Sequence, residues 1–297
     1  IAIKKEFKKH DIEIHTQDIF PELDSDFTIY LDFLKNPLSK KKYLIVREPP
    51  IIIPQNHNPK KLRCFSKVFT WNDNLVDNDF FIKYYNQSYD FDKVKFINNI
   101  KDKDGFVLIC SNKTSNRKGE NYSTRNRVID FFEETNFNFN FYGIGWNKRR
   151  FSNRFIEAFF NKSKIVRPPN RKYKNYKGIV ENKRLKSAEY NFEFAIENTN
   201  NINGYVTEKI FDPFFSNTIP IYSGSPNITD YIPKNCFINL DEFNNIEDLF
   251  QFTQSLTKDD LKKYILNKHA FFKTESLNTF SSDFNAKILI SNILNDI

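Results

Sequence analysis

NFEFAIENTNNINGYVTEKIFDPFFSNTIPIYSGSPNITDYIPKNCFI, residues 191–238, decides how the chain is read. Phe192, Phe194 and Ile196 mark one face of a strand, and Glu197 and Asn198 fall at its C-terminal end. After a polar turn, Thr207 is an N-cap for a helix that turns Ile210, Phe211, Phe214 and Phe215 to a core and carries Glu208 and Lys209 in its first turn. TIPIYSG (218–224) and CFINL (236–240) are two further buried strands. Carboxylate, ammonium and free backbone N–H groups thus gather at one helix start, an arrangement suited to a ribose and a diphosphate. Pro213 is the irregular residue. It removes a bond to the Lys209 carbonyl and predicts a kink, or a second helix start capped by Asp212.

Upstream, GFVLICSN (105–112) reads as a buried strand, RNRVIDFFEETN (125–136) as a helix and FNFNFYGIG (137–145) as a strand, a βαβ unit with parallel strands. The loop between them leads to Arg125, placed to hold a phosphate with the N–H groups of the helix start. Lys113, Arg117 and Lys118 compete for that role, and position alone does not choose among them. Residues 181–190 read as a helix feeding the strand at 191.

The first hundred residues alternate short apolar runs with polar breaks. AIKKEF, DIEIHT, FTIYLDF, KYLIVRE and KVFTW all have strand length and strand composition. KYLIVRE (42–48) is the clearest, and Pro49-Pro50 stops it, leaving Glu48 at a strand's C-terminal end, where open α/β sheets keep their ligands. Position alone favours a solvated carboxylate there over a catalytic one. His57, in the following loop, is a weaker candidate. The polar segment 86–104 reads as a linker between two domains.

The chain has 297 residues, enough for two domains, and 39% hydrophobic residues with 33 Phe and 14 Tyr, so it folds. A net charge of +8 points to an anionic partner. Residues 148–177 carry eleven Lys or Arg against one acid, Glu157, with Tyr173 and Tyr176 interleaved. No nucleic-acid-binding motif accompanies this tract, which reads instead as a solvated basic face or a contact for an anionic acceptor or membrane surface. Cys64, Cys110 and Cys236 lie far apart and suggest neither a disulfide framework nor a metal site. No apolar run reaches the length of a membrane span.

At this point the sequence resembles the α1,3/α1,4-fucosyltransferases, glycosyltransferase family 10. FAIENTN, GYVTEKI and IPIYSGSP follow that family's F-E-N-[ST], G-Y-[VI]-T-E-K-[IL] and I-P-[IV]-Y-x-G-x-P, and CSN followed by Arg125, FYGIGWN and YKGIVENKRLKSAEYNF agree with its flanking pieces. The resemblance covers roughly residues 42–240. It implies an α/β chain of GT-B fold, with two Rossmann-like domains facing across a cleft: an acceptor domain at 1–100, a GDP-sugar domain at 101–275, and a C-terminal helix at 276–297 packing back toward the first. It also implies metal-independent, inverting transfer of L-fucose from GDP-fucose to an oligosaccharide hydroxyl, with O3 of N-acetylglucosamine or glucose expected, and no cofactor. Arg125 and Lys209 match the positions that neutralise the diphosphate. Glu208 and Tyr205 match those that hold ribose and phosphate, Asn198 the Asn near the sugar-phosphate, and Glu48, in VREPP, the general base.

Departures are few. The gap from Asn198 to Tyr205 is one residue longer than usual, Ser223 stands where many members have Trp, and Ile196 replaces a common Phe. They leave open a relative of the same fold using another nucleotide sugar, and a basic glycan- or nucleic-acid-binding module without catalysis. Bacterial relatives are cytoplasmic and loosely membrane-bound, whereas animal and plant ones are Golgi proteins behind an N-terminal anchor. The composition favours the bacterial or viral, cytoplasmic setting.

Overall fold

The computed structural model of the chain describes residues 2–34, 37–97, 103–147 and 172–296. Most of the basic tract, 148–171, lies outside these. Two parallel sheets carry the fold. The first has four strands in sequential order: β1 (Thr28–Leu31), β2 (Lys42–Ile45), β3 (Lys67–Thr70) and β4 (Phe81–Lys83). The second has five, β5 (Phe106–Ile109), β6 (Phe139–Tyr142), β7 (Phe192–Ile196), β8 (Ile219–Ser223) and β9 (Ile238–Asn239), in the order β6-β5-β7-β8-β9.

Because strand side chains alternate, β2 splits its apolar run between two cores. Tyr43 and Ile45 pack with Phe69, Ile82, Phe7 of helix α1 (Ala2–Lys8), and Leu289, Ile290 and Ile293 of helix α8 (Ser282–Leu294). Leu44 and Val46 turn the other way, toward Leu62 of helix α2 (Pro59–Leu62), Val68 and Trp71. Buried on both faces, this strand ends with its polar residues at the sheet's rim. In the second sheet, helices α3 (Tyr122–Glu133) and α6 (Ile246–Ser255) cover one face, with Phe106, Phe132, Phe139, Phe194 and Phe250 in mutual ring contact. Helix α5 (Glu208–Phe215) covers the other with Phe211, Phe214 and Phe215, and Phe271 of helix α7 (Lys258–Phe271) joins it. Helix α4 (Lys183–Ser187) leads into β7.

Two local expectations are corrected. Residues 2–8 form α1 and not a strand: Ile3 and Phe7, one helical turn apart, face α8, and Lys4, Lys5 and Lys8 face water. DIEIHT forms no strand either. Pro213 lies inside α5, which runs through it without a second start. Among the described residues no helix is long and apolar enough to cross a membrane.

The two sheets are tied across their facing edges. Lys83 Nζ donates to Asp73 Oδ1 (2.5 Å) and to Tyr231 Oη (2.6 Å), and Tyr231 Oη donates to Asp73 Oδ2 (2.5 Å). Arg117, one of the loop cations, donates Nη1 to the Pro50 and Ile51 carbonyls and not to a ligand site. Gly204 closes the seam: its φ is +85°, and a Cβ there would lie 2.1 Å from the Trp71 carbonyl oxygen. Gly204→Ala therefore loses more than about 1 kcal/mol and lowers Tm by at least about 2 °C. A thermal melt coinciding with that of the parent protein contradicts this.

Candidate active site

Each half of the site is built at the C-terminal ends of strands. Beyond β2, the chain turns at Arg47-Glu48-Pro49. Asp32, just past β1 and in the left-handed region (φ +63°), accepts on Oδ1 the N–H of Arg47 (2.7 Å), the N–H of Glu48 (2.9 Å) and Nδ2 of buried Asn56 (2.6 Å). The Glu48 carbonyl accepts from Asn56 Nδ2 (3.1 Å) and from His57 Nε2 (3.0 Å). Because Asn72 Nδ2 approaches His57 Nδ1 (3.2 Å), the imidazole proton sits on Nε2. Burial pulls the His57 pKa down, against the Glu48 carbonyl and the Asp32 charge, so it stays neutral. His57 braces the turn. It is not a base.

The Glu48 side chain is different. Among the described residues its carboxylate makes no hydrogen bond or ion pair, and it faces the cleft. Burial and then the Asp32 charge push its pKa above the ordinary carboxylate range, outweighing Lys113, Lys209 and Arg47. A half-buried, unengaged carboxylate of raised pKa is what a general base requires.

Opposite stands the polar end of β7. Glu197, fully buried, accepts the Thr207 N–H on Oε1 (2.8 Å) and the Thr207 hydroxyl on Oε2 (2.7 Å), and its Oε2 lies 3.2 Å from Lys209 Nζ. The Thr207 hydroxyl in turn accepts the Lys209 N–H, capping α5. Lys209 also lies 3.5 Å from Glu208. Burial pulls its pKa down, but Glu197 and Glu208 more than offset this and hold the ammonium above its usual value. Lys209 is thus charged at any physiological pH, and its side chain is still 23% exposed toward the cleft.

Arg125, 3% exposed, donates Nη2 to the Ile196 carbonyl (2.7 Å) and to Asn198 Oδ1 (3.0 Å). Its partners are neutral, so its charge remains for a ligand, and among the described residues its buried Nε has no hydrogen-bond partner. The start of α3 is not the open N–H cradle that the loop suggested. Glu120 Oε2 accepts the N–H groups of Tyr122 (2.7 Å) and Ser123 (3.1 Å), so a carboxylate already caps this helix, and what it offers the cavity is the Arg125 guanidinium and not its N–H groups. Tyr205 packs against the Trp71 indole with ring centroids 4.6 Å apart. Glu208 accepts from Gln87 Nε2 (3.1 Å), which leaves lone pairs for a ribose hydroxyl.

Glu48, Arg125, Asn198, Tyr205, Glu208 and Lys209 line one cavity of ≈ 290 Å³, just under the roughly 300–1,000 Å³ typical of ligand sites. Lys113, Lys183 and Gln87 line it too. In the sequence Lys113 is one of several loop cations, and nothing local marks Lys183 or Gln87 as site residues. Glu197 was noted at its strand end without its partner. Among the described residues no group of three or more His, Cys, Asp or Glu is placed to hold a metal ion.

Residues 101–274 match the family model described as glycosyltransferase family 10 (fucosyltransferase) C-term. A 78-residue stretch is 44% identical to the Helicobacter pylori alpha-(1,3)-fucosyltransferase FucT, covering 26% of this chain and 16% of that protein. Another of 72 residues is 36% identical to the Arabidopsis thaliana alpha-(1,4)-fucosyltransferase, covering 24% and 18%. The matched stretches therefore span under a fifth of these relatives. In three dimensions the chain superposes on an alpha1,3-fucosyltransferase crystal structure with GDP (TM-score 0.64, 17% identity, 100% of this chain and 85% of that one). It also superposes on a DNA-modifying beta-glucosyltransferase (TM-score 0.62, 15% identity, 98% and 92%). At such identities these likenesses speak for the fold, which is GT-B: two α/β units with the cavity between them. The family match spans more than half of the chain, from the linker through β5 to the end of α7, and it takes in Arg125, Asn198 and the capped start of α5; the chain belongs to glycosyltransferase family 10, the fucosyltransferases.

Proposed function

We propose that the chain is an inverting fucosyltransferase that moves L-fucose from GDP-fucose to a hydroxyl, O3 of N-acetylglucosamine or glucose, of an oligosaccharide acceptor. The observation that carries this reading is the meeting, in one cavity, of Arg125, whose partners are neutral, Lys209, which its carboxylate partners hold charged and which is partly exposed to the cleft, and one unengaged carboxylate, Glu48. Family membership supports the donor, as does the fold shared with an alpha1,3-fucosyltransferase crystallised with GDP-fucose. In this reading Glu48 takes the proton of the acceptor hydroxyl as its oxygen attacks the anomeric carbon. The bond from that carbon to the β-phosphate oxygen breaks, and GDP leaves with the electron pair from the opposite face, inverting the configuration. Arg125 and Lys209 stabilise the charge that develops on the diphosphate, the part of such a reaction that preorganised cations accelerate most. Asn198 orients Arg125, while Tyr205 and Glu208 hold phosphate and ribose. The first unit then carries the acceptor and the second the GDP-sugar.

The test is GDP release from GDP-fucose with a panel of oligosaccharide acceptors, with and without EDTA, and analysis of the product's anomeric configuration. Acceptor-dependent release giving an α-L-fucoside from the β-linked donor is expected, undiminished by the chelator. Release from another nucleotide sugar but none from GDP-fucose would replace the donor and keep the fold of the mechanism; binding without turnover of any nucleotide sugar would end the enzymatic reading.

A further inference from the structure

The Glu48 turn carries more machinery than a surface loop needs. Both main-chain polar groups of Glu48 are gripped: its N–H by Asp32 Oδ1 (2.9 Å), and its carbonyl by Asn56 Nδ2 (3.1 Å) and His57 Nε2 (3.0 Å). The same Asp32 oxygen takes the preceding N–H and the Asn56 amide, and Asn56 Oδ1 takes the Phe33 N–H (2.7 Å), so the end of β1 and the turn after β2 share one buried clamp. Asn56 is fully buried. Asp32 is held in a left-handed conformation that costs most residues strain and that Asp and Asn tolerate best. The grip is on the main chain, which leaves the Glu48 side chain alone in the cleft.

We infer that Asp32 is a positioning residue for the reaction, which aims Glu48 across the cleft by holding the N–H groups of Arg47 and Glu48. This rests on Glu48 being the base. The charged groups that share the cavity with the Glu48 carboxylate are Arg47 of the same turn, Lys113 from the loop after β5, Arg125 of α3, Lys183 of α4, and Glu208 and Lys209 of α5, with Asp32 acting on it from the end of β1 and the Tyr122 and Tyr205 rings alongside. Asp32 is the acid with the largest effect on Glu48, opposed chiefly by Lys113, Lys209 and Arg47. Removing its charge leaves them less opposed and favours ionised Glu48, so the acid limb of the kcat profile moves to lower pH.

Two substitutions separate aim from charge without backbone strain, since Asn and Gly both accept a left-handed φ. Asp32→Gly removes the acceptor and is expected to lower kcat by about a hundredfold, the usual consequence of a reacting group displaced by about 1 Å, with KM for GDP-fucose within about threefold of the parent value. Asp32→Asn keeps an acceptor oxygen, is expected to restore most of kcat, and moves the acid limb to lower pH. A role confined to folding would lower the Tm of both variants and leave the pH profile where it was. The inference is overturned by Asp32→Gly with the kcat of the parent, or by an Asp32→Asn profile superposing on the parent's. An active parent enzyme whose Glu48→Gln variant is equally active overturns the base assignment instead, and with it the premise.

Discussion

Lys209→Ala is expected to lower kcat for fucosyl transfer by about a hundred- to a thousandfold, the range measured when one preorganised stabiliser of transition-state charge is removed. Lys209 qualifies because its charge is fixed before any ligand arrives: Glu197 at 3.2 Å and Glu208 at 3.5 Å hold it protonated, and the cap at Thr207 fixes the turn that carries it. The same substitution has a second effect. Glu197 is fully buried, and without Lys209 its carboxylate keeps only the two Thr207 bonds, so the variant also loses about 3 kcal/mol of stability, as broken buried pairs do. A double variant, Lys209→Ala with Glu197→Gln, separates the two. Neutralising the stranded carboxylate recovers Tm, while kcat stays low because the cation is still missing. Recovery of activity along with Tm would show that Lys209 acts on the fold and not on the diphosphate.

That pairing shows how much of the site could be read from the chain. Glu197, Thr207, Glu208 and Lys209 fall at element ends in the sequence pattern as in the structure, because a buried strand and a capped helix have strong local signatures. That Glu197 reaches across ten residues to hold both Thr207 and Lys209 depends on how the turn between them folds back, which no periodicity encodes. Asp32 was invisible for a related reason. One acid after TIYL looks like any strand-ending residue until β1 and β2 pair in register and bring its carboxylate under the Arg47 and Glu48 N–H groups. The N-terminal helix was misread because Ile3 and Phe7 fit an amphipathic helix only once α8, some 280 residues away, is present to cover them. At α3, the loop sequence contained the cap itself, Glu120, two residues before the helix, so the expectation of free N–H groups failed on a local signal that was there to be used.

Glu48→Gln is expected to reduce kcat by about a hundred- to ten-thousandfold, the contribution of a positioned general base. Gln has nearly the shape of Glu, and the clamp of Asp32, Asn56 and His57 holds the main chain of residue 48, so the turn should not move. Tm and the affinity for GDP are therefore expected to stay as in the parent. This contrasts with Lys209→Ala, which removes a buried ion pair and, in the proposed reading, a contact to the diphosphate. The pH dependence gives an independent check. Burial and Asp32 raise the Glu48 pKa, and only the ionised form accepts a proton, so kcat of the parent falls as the pH drops through a value above the ordinary glutamate range. In Glu48→Gln that acid limb has no group to produce it, and the residual rate becomes flat over the same interval. An acid limb unchanged in Glu48→Gln would assign the titration to another residue. A kcat within about threefold of the parent would show that proton removal by Glu48 is not part of the rate-limiting barrier.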